Sequence, residues 1–365
     1  MESKIRVLVV DDAELVRCIV KTSLDKTTDI EVVGEAGTGV SALEQVEKLR
    51  PDVVVMDVEM PIIDGETAVK RILEQRWTPI IMLTGHAMTD SNRVFDCLQL
   101  GAVDFVQKGG GAWPEVIGKL EYQIRTASTL KEPDPNHRNI IERRYERQLE
   151  AHSSKVSADM LPHAEAAIAL ASSTGGIQEV RFIMSMLPEN VNAAILVNQH
   201  MWPGFTLSFA QSLDWCGPPN VKEAQDGDIL RAGMVLVVPS THDMTITEDR
   251  IKKVRLTPNT GSYRPTADTL LKSMAQQFGR NAMGIQLSGC GHDGREGMRA
   301  IKKAGGIVIA ENPEGITAPY MPKAVIEAGL ADQILPLQDI PHAMNQFIGE
   351  RSMRTLPQPK RRLTN

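Results

Sequence analysis

Aromatic residues are scarce. Phe, Trp and Tyr make up 4% of the chain, so any core must rest on Val, Ile, Leu, Ala and Met. Cysteine is also rare. Cys18, Cys97, Cys216 and Cys290 lie far apart with no CxxC pair, which indicates neither a zinc site nor a disulfide framework. No apolar run approaches the ~18 residues a membrane span requires. The first residues, MESKIRVLVV, turn directly into a strand pattern, so a signal peptide is not expected. A basic excess is missing too. Forty Lys and Arg against 46 Asp and Glu give a net charge of -6, which speaks against an electrostatic grip on nucleic acid. These absences lead us to expect a cytoplasmic protein with no membrane insertion and no nucleic-acid partner.

What is present is an ordinary globular balance of 42% apolar and 24% charged residues. It excludes wholesale disorder, collagen and coiled coil. At 365 residues, two domains are the natural expectation. Short, continuously apolar, β-branched runs at Ile5–Val10, Ile30–Val33, Val53–Met56, Pro79–Leu83 and Val103–Val106 alternate with amphipathic stretches. Strands of that kind suit a parallel sheet buried on both faces. From Ala164 onward AAIALA, AAILVN, GMVLVV, MGIQLS and GGIVIA repeat the style. The fold class is therefore α/β, with two doubly wound parallel-sheet domains at residues 1–127 and 161–352. A charged linker at 128–160 joins them, partly helical over IERRYERQLE, and 353–365 is a basic tail.

In doubly wound sheets ligands sit outside the carboxyl ends of the strands. In the first domain those ends carry Asp11 and Asp12, Asp57, Thr84 and Lys108. Three close carboxylates repel one another, and a hard cation such as Mg²⁺ relieves that with oxygen ligands. A carboxylate held there can serve as a phosphoryl acceptor, with Lys108 and Thr84 binding the incoming oxygens. The simpler reading, that each Asp caps a helix, fits any one of them better than it fits the whole set.

In the second domain a strand runs into Ser172-Ser173-Thr174-Gly175-Gly176 at the start of a helical pattern, a turn suited to an oxyanion or phosphate. Neither GxxxxGK[ST] nor GxSxG is present. Ser173, His200 and Asp293 each follow the carboxyl end of an expected strand. Serine is inert until a base takes its proton, and a carboxylate fixes the tautomer of that base. His242 and His292 compete with His200 as the base, and serine at a helix start is often only a cap.

VLVVDDAELVR, VVVMDVEMPIIDG, IIMLTG and DFVQK resemble the receiver domain of two-component response regulators, which is flavodoxin-like. The resemblance implies phosphorylation of Asp57 by a histidine kinase. It also implies Mg²⁺ held by Asp11, Asp12, Asp57 and the backbone carbonyl of Glu59, and a switch pair of Thr84 and Phe105. Where that family has proline after the lysine, Gly109 begins a glycine run. ASSTGG, VNQHMWPGFT, RPTAD, LSGCGHDGREGM and APYMPKA resemble the Rossmann-like catalytic domain of chemotaxis protein-glutamate methylesterases, the CheB family. That resemblance implies Ser173 as nucleophile, His200 as base and Asp293 as its orienting carboxylate. The Cys290 amide and the turn at Thr174 are the oxyanion candidates. It departs from the family at ASST, at Cys290, at His242 and at Tyr320-Met321-Pro322.

The implied function is a phosphorylation-regulated ester hydrolase acting on glutamate γ-methyl esters of a methylated chemoreceptor, with deamidation of receptor glutamines by the same chemistry. A chemotaxis histidine kinase is the implied phosphodonor. Catalysis itself calls for no cofactor, and Mg²⁺ belongs to the receiver. The alternative is a phosphorylation-controlled binding module of a chemosensory array whose esterase chemistry has decayed.

Overall fold

The structure is a computed structural model. It describes residues 4–130, 157 and 160–355, apart from 62, 86, 110, 111, 189, 190 and 317. The helical stretch expected at IERRYERQLE and the end of the tail lie outside the described residues.

The first domain alternates β1 (Ile5–Val10), α1 (Glu14–Leu24), β2 (Ile30–Ala36), α2 (Gly39–Leu49), β3 (Val53–Asp57), α3 (Gly65–Gln75), β4 (Ile80–Thr84), α4 (Ala87–Leu100), β5 (Asp104–Gln107) and α5 (Trp113–Ala127). Its strands form one parallel sheet in the order β2-β1-β3-β4-β5. Successive residues of β1 face opposite ways. Val7 and Val9 join an apolar cluster with α1 and α5, and Leu8 and Val10 join another with α2, α3 and α4. Burial on both faces explains the unbroken apolar runs.

The second domain carries β6 (Ala167–Ser172), α6 (Gly176–Met186), β7 (Ala194–Gln199), α7 (Thr206–Asp214), β8 (Asn220–Glu223), β9 (Met234–Val237), β10 (His242–Ile246) and β11 (Val254–Pro258). It continues with α8 (Ala267–Phe278), β12 (Ala282–Gln286), α9 (Arg295–Lys303), β13 (Ile307–Glu311), α10 (Tyr320–Glu327), β14 (Gln333–Leu335) and α11 (Ile340–Thr355). The end of α11, Thr355, falls within the segment expected as a tail. Seven strands form a parallel sheet in the order β14-β13-β12-β6-β7-β9-β8, and β10 and β11 form a separate antiparallel hairpin. The α/β fold with two parallel sheets follows the sequence expectation. The hairpin and the edge strands β8 and β14 are additions to it.

Strand order reverses beside β1 in the first sheet and beside β6 in the second. Crevices form outside the carboxyl ends of strands at such switch points. Asp11 and Asp57 therefore meet in one domain, and the turns after β6, β7 and β12 meet in the other. The two domains also share packing. One apolar cluster runs from Val94, Phe95 and Leu98 of α4 through Phe105 to Phe205 and Phe209 of the second domain.

Candidate active site

The turn after β6 is built by small residues. Gly175 has φ 87°, a left-handed conformation that glycine adopts without strain. A Cβ on Gly176 would come within 2.9 Å of Gln199 Oε1, so the next turn also needs glycine to pass. Ser173 donates its amide to Ser288 O at 2.9 Å, tying the turn to the strand end after β12. Gln199 ties it to the turn after β7. Its Nε2 donates to Ser173 O at 2.7 Å and to His200 O at 3.0 Å, and Ser172 Oγ donates to its Oε1 at 2.6 Å.

Asp293 is buried at the start of α8. It accepts the Ala267 amide at 2.7 Å, the Asp268 amide at 3.1 Å and the Gly294 amide at 2.9 Å. Those first two are amides at a helix start that have no partner within the helix. His200 Nε2 lies 2.8 Å from Asp293 Oδ2. Burial alone would raise the Asp293 carboxyl, but the bond and charge of His200 and the two α8 amides outweigh it and hold it below its ordinary range. The other face of the imidazole stacks on Tyr263, with centroids 5.2 Å apart and planes at 21°. Sequence reasoning missed Tyr263 and Gln199. Tyr263 lies in the loop before α8, directly before the RPTAD motif, and nothing in the local pattern shows where that loop returns.

Ser173, Thr174, His200, Tyr263 and Cys290 line one cavity of about 890 Å³. Among the described residues no hydrogen bond closes between Ser173 and His200. Contacts of this kind are often long without substrate and tighten when it binds. Thr174 bears on the Cys290 thiol through both its amide and its hydroxyl, while burial keeps that thiol above its ordinary range. Of the competing bases, His242 opens the β10 hairpin with Nδ1 2.9 Å from Thr241 Oγ1. His292 is exposed and meets the edge of Tyr263 at 6.1 Å. Neither lines the cavity.

In the first domain, Asp11, Asp12 and Asp57 bring carboxylate oxygens within 4.8 Å of one another. Lys108 Nζ sits 2.6 Å from Asp11 Oδ2 and 2.8 Å from Asp57 Oδ2. Burial pushes the Asp57 carboxyl up to about 6, against the charge and hydrogen bond of Lys108, with Asp11 adding repulsion. The Glu59 amide donates to Asp57, and the Glu59 side chain turns away to Arg93 at 3.3 Å. Three carboxylates against one ammonium form an all-oxygen, electron-rich donor set, the chemistry a hard divalent cation fits. Thr84 ends β4 fully buried, and its carbonyl accepts the Lys108 amide at 2.8 Å.

Phe105 is buried and points out of the first domain. Its ring lies 4.6 Å from that of Phe205, at the start of α7, five residues after His200. Phe95 stacks on Phe209 at 5.6 Å. Lys119 of α5 lies 3.4 Å over the Trp202 ring. Gln178, two residues into α6, donates to the carbonyl of Leu98, in the last turn of α4, and to that of Ala102, just beyond it. Asp104, Phe105, Lys119 and Tyr122 thus form one wall of the cavity that holds Ser173.

The fold and site define a class: a phosphoacceptor domain docked on a hydrolase-type α/β domain. Residues 7–112 match the family model described as response regulator receiver domain, and residues 168–344 match that of CheB methylesterase. The chain is 38% identical over 344 residues to the protein-glutamate methylesterase/protein-glutamine glutaminase of Pyrococcus abyssi, covering 93% of each. It is 38% identical over 347 residues to the protein of that name in Pyrococcus horikoshii, covering 94% of each. A third, from Caldanaerobacter subterraneus, is 34% identical and covers 96% of this chain and 98% of its own. The chain belongs to the protein-glutamate methylesterase/protein-glutamine glutaminase family.

Proposed function

We propose that this protein hydrolyses glutamate γ-methyl esters on methylated chemoreceptors, and by the same chemistry deamidates receptor glutamines, under control of its receiver domain. The units are residues 1–127 and 161–352, joined by the linker at 128–160; the segment expected as a tail from 353 begins inside α11, which runs on to Thr355. The observation that carries the reading is the 2.8 Å bond from His200 to Asp293 on the wall of the cavity that bears Ser173. The nitrogen facing a carboxylate carries the proton, so Nε2–H donates to Asp293 and Nδ1 keeps the lone pair. Nδ1 takes the Ser173 proton as Oγ attacks the ester carbonyl, and returns it to the departing methanol. Water then enters by the same base and frees the receptor carboxylate. Asp293 stabilises the imidazolium in both halves. In deamidation, ammonia leaves in place of methanol. Thr174 and the Cys290 amide are the donors for the oxyanion.

Asp57 takes a phosphoryl group from a chemotaxis histidine kinase. Asp11, Asp12, Asp57 and the Glu59 carbonyl would hold a Mg²⁺ ion, which would supply charge neutralisation for that transfer. Lys108 and Thr84 bind the phosphoryl oxygens. Because Phe105 packs on Phe205, rearranging Thr84 and Phe105 biases the docked interface and opens the cavity. No helix among the described residues is long and apolar enough to cross a membrane. Action in the cytoplasm follows from the proposed role as a receiver-controlled enzyme. The test is methanol release from methylated receptor by the wild type and by Ser173→Ala. Loss of release in the variant supports the reading. Equal release from both would leave a binding module with decayed chemistry.

A further inference from the structure

Glu179 on α6 and Glu311 at the end of β13 meet beneath the nucleophile turn. Both are buried, at 7% and 1% exposure, and neither lines the cavity. Their carboxyl groups hydrogen-bond to each other. Both also accept the same Ser288 amide, Glu179 Oε2 at 2.9 Å and Glu311 Oε2 at 3.0 Å. The other side of Ser288 is the contact to the site, since its carbonyl accepts the Ser173 amide at 2.9 Å. Ser288 also opens the turn that continues through Cys290 to Asp293.

Two ionised carboxylates cannot share one amide donor in a buried space without a cation. Among the described residues no ion pair reaches either glutamate. Arg181, buried on the same helix, acts on Asp96 of the receiver instead. The groups acting on the pair are each other and Ser288, and no charged side chain of α6, β12, β13 or the helices packed on them joins in. A proton between the two oxygens removes the conflict, because it makes one carboxyl a donor to the other.

We propose that Glu179 and Glu311 share one proton as a positioning pair that fixes the Ser288 peptide, and through it the amide of Ser173, in register for ester attack. The proposal rests on the reading of Ser173 as nucleophile. Burial foremost, and for Glu311 the charge of Glu179 next, holds both groups above the ordinary glutamate range. A carboxyl whose folded value is raised binds more proton in the folded state than in the unfolded one. The folded state is therefore favoured at low pH and loses stability as pH rises from the ordinary value of 4.5 through the raised one. When the shared proton leaves, the two carboxylates repel and the Ser288 peptide is released. The rate therefore has a falling limb at high pH.

Glu311→Gln separates this from mere packing. Its amide donates to Glu179 as the shared proton does, leaves the same net charge, and cannot be lost. The experiment measures, on full-length protein across pH, both the melting temperature and methanol release for the wild type, Glu311→Gln and Glu311→Ala. Glu311→Gln is expected to retain most of the rate at neutral pH, to lose the falling limb, and to flatten the melting profile. Glu311→Ala is expected to lower kcat by roughly 10- to 100-fold, the scale of a small displacement of a reacting group, with little change in KM. Parallel pH profiles for the wild type and Glu311→Gln, or equal damage from Gln and Ala, would overturn the proposal. The melting comparison needs no nucleophile. If Ser173→Ala still releases methanol, the nucleophile reading falls, and the pair stands or falls on melting alone.

Discussion

Asp104 carries an unusual load for a single residue. It lies on β5, one position before Phe105, and faces the cavity beside Thr174. One oxygen accepts the Phe105 amide at 2.8 Å, while Oδ2 is buried without a partner. Burial lifts the carboxyl to about 7, tempered by the Phe105 amide and the nearby Thr174 and Gln123 side chains. Opening the interface returns it to the ordinary 3.8. Between those values the docked form holds a proton that the open form releases, so rising pH favours opening, by up to about tenfold per pH unit. The unphosphorylated protein should therefore gain methanol release relative to Asp104→Asn as pH rises from about 5 to about 7, the upper end of that window. A constant ratio between the two would show that Asp104 stays buried on opening. At this scale the sequence was informative where chemistry fixes the residue type. Ser173, His200 and Asp293 stood out because each follows the carboxyl end of a strand, inside a motif that carries the family resemblance. The stack of Tyr263 on His200 and the meeting of Glu179 with Glu311 come from chain separated by more than sixty residues, and no local pattern encodes them.

Among the elements, α6 joins the turn that carries Ser173 to the receiver. Its first turn starts at Gly176, and Gln178 reaches across to the Leu98 and Ala102 carbonyls. Removing that side chain leaves two carbonyls at the end of α4 without this donor, a loss of about 1–3 kcal/mol if they stay buried. Gln178→Ala should therefore loosen docking and raise release by the unphosphorylated protein several-fold, without changing release by the fully phosphorylated protein. Comparing the two states in one assay checks it. An unchanged unphosphorylated rate would mean that the aromatic contacts at Phe205 and Phe209 hold the interface alone. Most elements were legible because both sheets are buried on two faces, which leaves continuous Val, Ile and Ala runs. Strands β8 and β14 were not, because Asn220–Glu223 and Gln333–Leu335 are partly exposed edges without such runs. The β10 and β11 hairpin alternates polar and apolar residues, a pattern unlike that of the sheet strands.

The scale of the whole molecule is where receiver and catalytic domain become one device. The apolar cluster that passes through Phe105 and Phe205 makes docking favourable. The cavity beside it takes walls from both domains, and on the proposed reading docking and substrate access compete for the same space. The acidic balance that excluded nucleic acid says nothing about this competition, which depends on a few aromatic contacts between the domains. The central claim is that Ser173 works in a cavity gated by the state of Asp57. Its most direct measurement is time-resolved methanol release from methylated receptor by the full-length protein, with and without a small phosphodonor and Mg²⁺. Release should accelerate with phosphodonor in the wild type, stay at the basal rate in Asp57→Ala, and vanish in Ser173→Ala. A wild-type rate that ignores the phosphodonor, or a Ser173→Ala rate equal to the wild type, would contradict it.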